Sequence, residues 1–155
     1  MEATLIHRIL SQNVSTKPYF RGVYASDTIP PLKNKSAVVV NLDKSSERGS
    51  HWICMFTEDG KHLEFICSYG KSPYFYGDIF KTFLLNFSHV SWNNTCFQSL
   101  TSNVCGAYCI YFLLKRCQGH SLYCIIHELK KCKKNDFRIF QFVKKNFGVR
   151  MVFKK

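Results

Sequence analysis

"HWICMFTEDGKHLEFICSYG", residues 51–70, decides how this chain folds. Residues 51–57 and 62–67 are rich in aromatic and β-branched side chains, and Asp59-Gly60 between them is a strong hairpin signal. The stretch predicts two antiparallel strands. "SAVVVNL" (36–42) predicts a buried strand before them, and "HVSW" (89–92) another after them. Residues 3–12 place Leu5, Ile6, Ile9 and Leu10 on one side of a short helix. Between that helix and the strands, "TKPYFRGVYASDTIPPLKN" (16–34) is rich in Pro and Gly and predicts an ordered loop. Pro73 opens a helical stretch to about residue 87. "VCGAYCIYFLLKRC" (104–117) is apolar around nearly its whole circumference, as a helix central to the core must be. Two further helices are expected at 121–131 and 135–146. A helix, then mixed antiparallel strands, then a helical C-terminal half predicts an α+β fold, with a mixed central β-sheet packed against helices.

The 155 residues predict a single domain, 1–155, and the 46% hydrophobic and 15% aromatic content is ample for its core. No apolar run reaches the roughly 18 residues of a membrane span, so no membrane partner is expected. The first residues lack the basic segment and continuous apolar run of a secretory signal, so the protein is expected inside the cell. The eight cysteines then do not read as a disulfide framework. They contain no CxxC pair, and no two histidines are spaced to complete a zinc site, so no metal is expected. Charge is concentrated at one end. Residues 115–155 hold twelve Lys/Arg against two acids, most of the total of +12. For packing alone this is a solvated helix face, but it also suits a polyanion such as DNA, bound without sequence preference.

"QSLTSNVCGAYC" (98–109) carries two of the cysteines. Cys105 falls at the start of the predicted helix, behind a Thr-Ser-Asn that could cap it. A helix N-terminus favours negative charge, which would lower the thiol pKa. Gly106 permits close approach of a substrate, and free backbone N–H groups there could hold an oxyanion. Cys109, one turn on amid Tyr108, Ile110, Tyr111 and Phe112, reads as a core residue. A nucleophilic cysteine needs a base. Of the six histidines, His51 stands at a strand start after Arg48-Gly49-Ser50, where a side chain can reach a cleft. His62 lies beside the hairpin turn, and spacing alone does not choose between a catalytic and a structural histidine. Gln98 offers a side-chain amide that could donate to an oxyanion, or could simply be solvated.

These residues, in this order, resemble the adenovirus protease (adenain) family of cysteine endopeptidases, within the larger group of SUMO and ubiquitin-like-protein proteases. The resemblance rests on Gly49-Ser50-His51-Trp52, then Cys67-Ser68-Tyr69-Gly70, then Gln98 with Cys105-Gly106 seven residues on. "KPYFRGVYASDTIP" (17–30) resembles the N-terminal Pro-Tyr-Phe-x-Gly-x-Tyr segment that separates adenain-like enzymes from cellular SUMO proteases. The resemblance implies a papain-like, SUMO-protease-like fold. It implies a viral or virus-like thiol protease that cleaves structural precursor proteins during particle maturation, in the host nucleus or virion. His51 would be the base, Cys105 the nucleophile, and Gln98 an oxyanion donor beside the N–H of Cys105. No cofactor is required, although DNA stimulates the family and the basic C-terminal half allows for it. Some members take an activating peptide through a disulfide. The corresponding position here falls near Phe87, which cannot form that bond.

One position departs from the pattern. The family carries an acid before the Ser-Tyr-Gly-like motif, and this chain carries Cys67. Glu64 is three residues earlier, and strand alternation points it away from His51. The chain therefore reads as a Cys–His pair working without its acid, or as a weakened or inactive protease fold kept as a DNA- or protein-binding module. A SUMO or ubiquitin-like-protein protease is a further alternative, which the Pro-Tyr-Phe segment disfavours.

Overall fold

The computed structural model describes residues 1–154; Lys155, the last residue of the basic stretch and of the expected domain, lies outside the described residues. The elements in chain order are α1 (Ala3–Gln12), β1 (Phe20–Ala25), β2 (Ser36–Asn41), β3 (Trp52–Thr57), β4 (His62–Ile66), a single 3-10 turn (Pro73–Tyr76), α2 (Asp78–Leu84), β5 (His89–Trp92), α3 (Cys105–Cys117), α4 (Leu122–Lys130) and α5 (Asn135–Phe147). The five strands form one sheet in the order β1-β2-β3-β4-β5. The inner pairings, β2–β3 and β3–β4, are antiparallel. The two outer pairings, β1–β2 and β4–β5, are parallel. The fold is α+β with a mixed sheet.

Alternation sorts the strand residues onto two buried faces. Ala37, Val39, Cys54, Phe56 and Ile66 join one core, and Val38, Val40, Ile53, Met55, Leu63 and Phe65 join the other. Covering on both faces explains why "SAVVV" has no polar alternation. On the first face lies α3, whose residues from Gly106 to Leu114 are all buried, with α1, α4 and α5 packed around it. Truncating Phe112 there to Ala is expected to cost about 3 to 5 kcal/mol. The second face is covered by the 3-10 turn and α2, through Tyr76, Phe80 and Leu84. No helix among the described residues is long and apolar enough to cross a membrane.

Two expectations need correction. The segment expected as a loop contains β1, an edge strand. Its alternation is broken by a register shift between Phe20 and Gly22, where Gly22 adopts φ +133°, and Pro18 and Gly22 together hid the strand. The helical stretch expected from Pro73 to about 87 is interrupted at Gly77, whose φ of +97° a helix cannot accommodate. The hairpin at Asp59-Gly60 forms as expected. The Asp59 carboxylate accepts the N–H groups of Lys61 and His62 at 2.8 and 2.9 Å, and Gly60 takes φ +73°.

Candidate active site

The antiparallel register of β3 and β4 pairs Cys54 with Ile66. It therefore brings the residue just before β3 next to those just after β4. His51 is 7% exposed. Its ring stacks on Tyr69, with centroids 4.5 Å apart, and its Nε2 lies 3.5 Å from Cys67 Sγ. Cys67 is fully buried, and its sulfur also lies 3.1 Å from the Tyr76 hydroxyl. Asn93 follows the last β5 residue and continues the ladder with its side chain. It accepts the Cys67 N–H at 2.9 Å and donates to the Cys67 carbonyl at 2.7 Å. The neighbouring turn is pinned by main-chain bonds instead. Phe97 and Gln98 donate backbone N–H groups to Ser68 O at 2.8 and 3.0 Å. A Cβ on Gly70 would stand 2.5 Å from the backbone of Thr95, so only glycine fits there.

Cys105 is the first residue of α3 and is half-buried. Together with His51, Trp52 and Tyr69 it lines an open cleft of about 730 Å³, whose far walls come from the end of β1 and residues 43–50. Tyr108 N–H is the donor that reaches back to Val104 O. The N–H groups of Cys105 and Gly106 thus precede the helical ladder and have no intrahelical acceptor.

The electrostatics differ from the sequence expectation. Burial pushes the Cys105 thiol above its ordinary value, and the Trp52 backbone amide offsets this only in part. The helix start does not win because desolvation of a bare thiolate outweighs the Trp52 and Gly106 amides and the N-terminal ammonium, which pull the other way. Nor does Thr101-Ser102-Asn103 cap the helix: Val104 occupies the cap position without a side-chain bond. Burial likewise lowers His51 to about 4. At neutral pH the site holds a thiol and a neutral imidazole. Among the described residues, His51 makes its ring hydrogen bond to Cys67, with none to Cys105.

Gln98 is 2% exposed and stands behind the cleft rather than in its wall. Its Oε1 accepts from Ser68 Oγ, and its Nε2 donates to Ser102 O at 3.1 Å. Glu64 points to the opposite face of the sheet, where it forms a two-point pair with Arg116 at 2.7 and 2.9 Å. Phe87 packs on Phe83, with centroids 5.5 Å apart. Lys130, Lys131, Lys133, Lys134, Arg138 and Lys144 are exposed on and between α4 and α5. The site residues missed in the sequence are Tyr76 and Asn93. Asn93 had a weak signal, an amide directly after a strand. Tyr76 had none, because only the 3-10 turn brings it back over Cys67.

A cysteine at the head of a buried helix thus shares one cleft with a histidine that stands just before a central strand. The crystal structure of the ASFV pS273R protease is similar, with a TM-score of 0.55 and 12% identity over 88% of this chain and 64% of that one. The chain thus spans less than two thirds of that protease. Its selenomethionine crystal structure aligns with a TM-score of 0.47 and 20% identity, over 75% of this chain and 45% of that one. At these identities the likeness is one of fold. No family model matches the sequence, and no curated protein matches it.

Proposed function

We propose that the protein is a cysteine endopeptidase of a DNA virus or virus-like mobile element, of the adenovirus protease kind, that cleaves structural precursor proteins during particle maturation. The observation that carries this reading is the shared cleft of His51 and Cys105 at the head of α3, on the fold of a viral cysteine protease. A histidine held near a pKa of 4 is unprotonated at neutral pH, so it is free to act as base. His51 takes the Cys105 proton as the sulfur attacks the scissile carbonyl. The Cys105–carbon bond forms and negative charge moves to the carbonyl oxygen, which the N–H groups at the start of α3 can hold. The imidazolium then gives its proton to the leaving amine, and water hydrolyses the thioester. Gln98 gives one of its two amide hydrogens to Ser102 O, so for it to join the oxyanion hole the second would have to reach the cleft.

The exposed lysines and arginines of α4 and α5 support a further role for DNA as a sequence-independent stimulating polyanion. A weakened protease retained as a binding module is the second reading, favoured by the neutral Cys67 beside His51 and the raised Cys105 thiol. A cysteine-directed covalent probe separates the two, applied with and without DNA beside Cys105→Ala. Labelling at Cys105 supports the protease. Its absence under every condition sinks that reading and leaves the binding module. If DNA acts through the basic face, its affinity falls steeply with salt.

A further inference from the structure

The buried Cys67 thiol has one proton and two polar side-chain neighbours, His51 Nε2 at 3.5 Å and Tyr76 O–H at 3.1 Å. The Asn93 amide does not compete for that proton, because it is bonded to the Cys67 backbone and to Thr95 O. The three groups therefore form a short chain that can run in either of two directions. In one, Tyr76 donates to sulfur and the S–H donates to Nε2. The neutral ring then carries its own proton on Nδ1. In the other, Nε2–H donates to sulfur and the S–H donates to the tyrosine oxygen. The ring then has a bare Nδ1. A carboxylate at position 67 would leave no choice, since an ionised carboxylate only accepts. A thiol both donates and accepts, and so does not fix the tautomer by itself.

We propose that Tyr76 is a positioning residue that sets the tautomer of His51 by accepting the Cys67 thiol proton. The inference rests on His51 acting as base toward Cys105. Nε2 is engaged with Cys67, so the nitrogen left to receive a proton is Nδ1, and it must be bare. Nε2 must then carry the hydrogen and donate it to sulfur. The sulfur's own proton has one remaining acceptor, the Tyr76 oxygen. Tyr76 is only half-buried, so its hydroxyl hydrogen can turn to solvent while the oxygen accepts. Tyrosine and thiol in series thus do what an acid does alone: they present an acceptor to Nε2.

The test reads the tautomer directly. In protein labelled with ¹⁵N-histidine, the His51 ring is assigned by comparison with His51→Gln, and its two nitrogen shifts are measured at neutral pH. The expected wild-type signature is a protonated Nε2 and an unprotonated Nδ1. Tyr76→Phe keeps the ring packed on Phe65 and Phe80 but removes the acceptor, so the S–H turns to Nε2 and the signature reverses or averages. In Cys67→Asp/Tyr76→Phe the carboxylate restores the wild-type signature. Probe labelling at Cys105 should slow about tenfold in Tyr76→Phe and by less than about twofold when the same change is made in Cys67→Asp. A protonated Nδ1 in the wild type, or a signature unmoved by Tyr76→Phe, overturns the proposal. A Cys105 that never labels, with the tautomer as expected, instead removes the protease reading and leaves Tyr76 as the group that orients the ring.

Discussion

Glu64 and Cys67 stand three residues apart, one within β4 and one directly after it, and they face opposite sides of the sheet. On one side a carboxylate is kept in a largely buried setting, held by both arms of the Arg116 guanidinium, which also lies over the Phe56 ring at 4.3 Å. On the other side, where an acid would steady His51, there is a neutral thiol. The contrast shows what this interior tolerates. It accepts charge where a bidentate cation neutralises it, and against the His51 ring it sets a thiol and a tyrosine. The low pKa of His51 and the raised thiol of Cys105 both follow from burial, which for Cys105 is offset only in part.

The comparison breaks most visibly if the charged side loses its cation. Arg116→Met keeps the aliphatic stem but strands a Glu64 side chain that is 14% exposed. Chemical denaturation should show a loss of about 3 kcal/mol. The neutral side has its own signature, of similar size. Unfolded, His51 takes a proton below its ordinary 6.5, whereas folded it does so only near 4. The unfolded chain therefore binds more protons in that window, and stability falls as pH drops from about 6.5 to about 4, by roughly 3 kcal/mol. Denaturation midpoints across this range test it, and His51→Asn should remove this contribution to the slope. Tyr69 against the ring and Cys105 in the same cleft are both raised by burial, away from this window.

Exchanging the two sides sharpens the contrast at smaller cost. Cys67→Asp supplies the missing acid, so the His51 pKa should rise in an NMR titration and peptidase activity should increase about tenfold. A titration curve that stays put would count against the pairing of position 67 with the ring. The smallest effect belongs to Glu64→Leu/Arg116→Met, which removes both charges together. Its stability should lie within about 1 kcal/mol of wild type, well above that of Arg116→Met alone.

Most of the fold was legible because most of it is periodic. Aromatic and β-branched content in residues 51–57 and 62–67, with the Asp59-Gly60 turn between them, gave the central strands, and strand alternation put Glu64 on the far face from His51. The uninterrupted apolar run after Val104 gave the buried helix. What escaped were local breaks in pattern, such as the bulged edge strand at Gly22 and the turn at Gly77. The site was legible as a set of residue types, not as a state. His51, Cys67 and Cys105 could be singled out from their order, but the direction of the Cys105 shift depends on how much solvent the finished fold leaves around the sulfur. Gln98 shows the same limit from another side: its type suggested a donor, and its partners, Ser68 and Ser102, became visible only once the loops had met. Tyr76 lies nine residues beyond Cys67, with no periodicity connecting the two.

The Asn93 clamp grips Cys67 by its main chain alone. Placement of this residue is therefore independent of what its side chain is, so position 67 works as a socket. A thiol, a carboxylate or an amide can be fitted there without disturbing the strand that presents it, and the strength of the site can be retuned over evolutionary time by exchanging a single group.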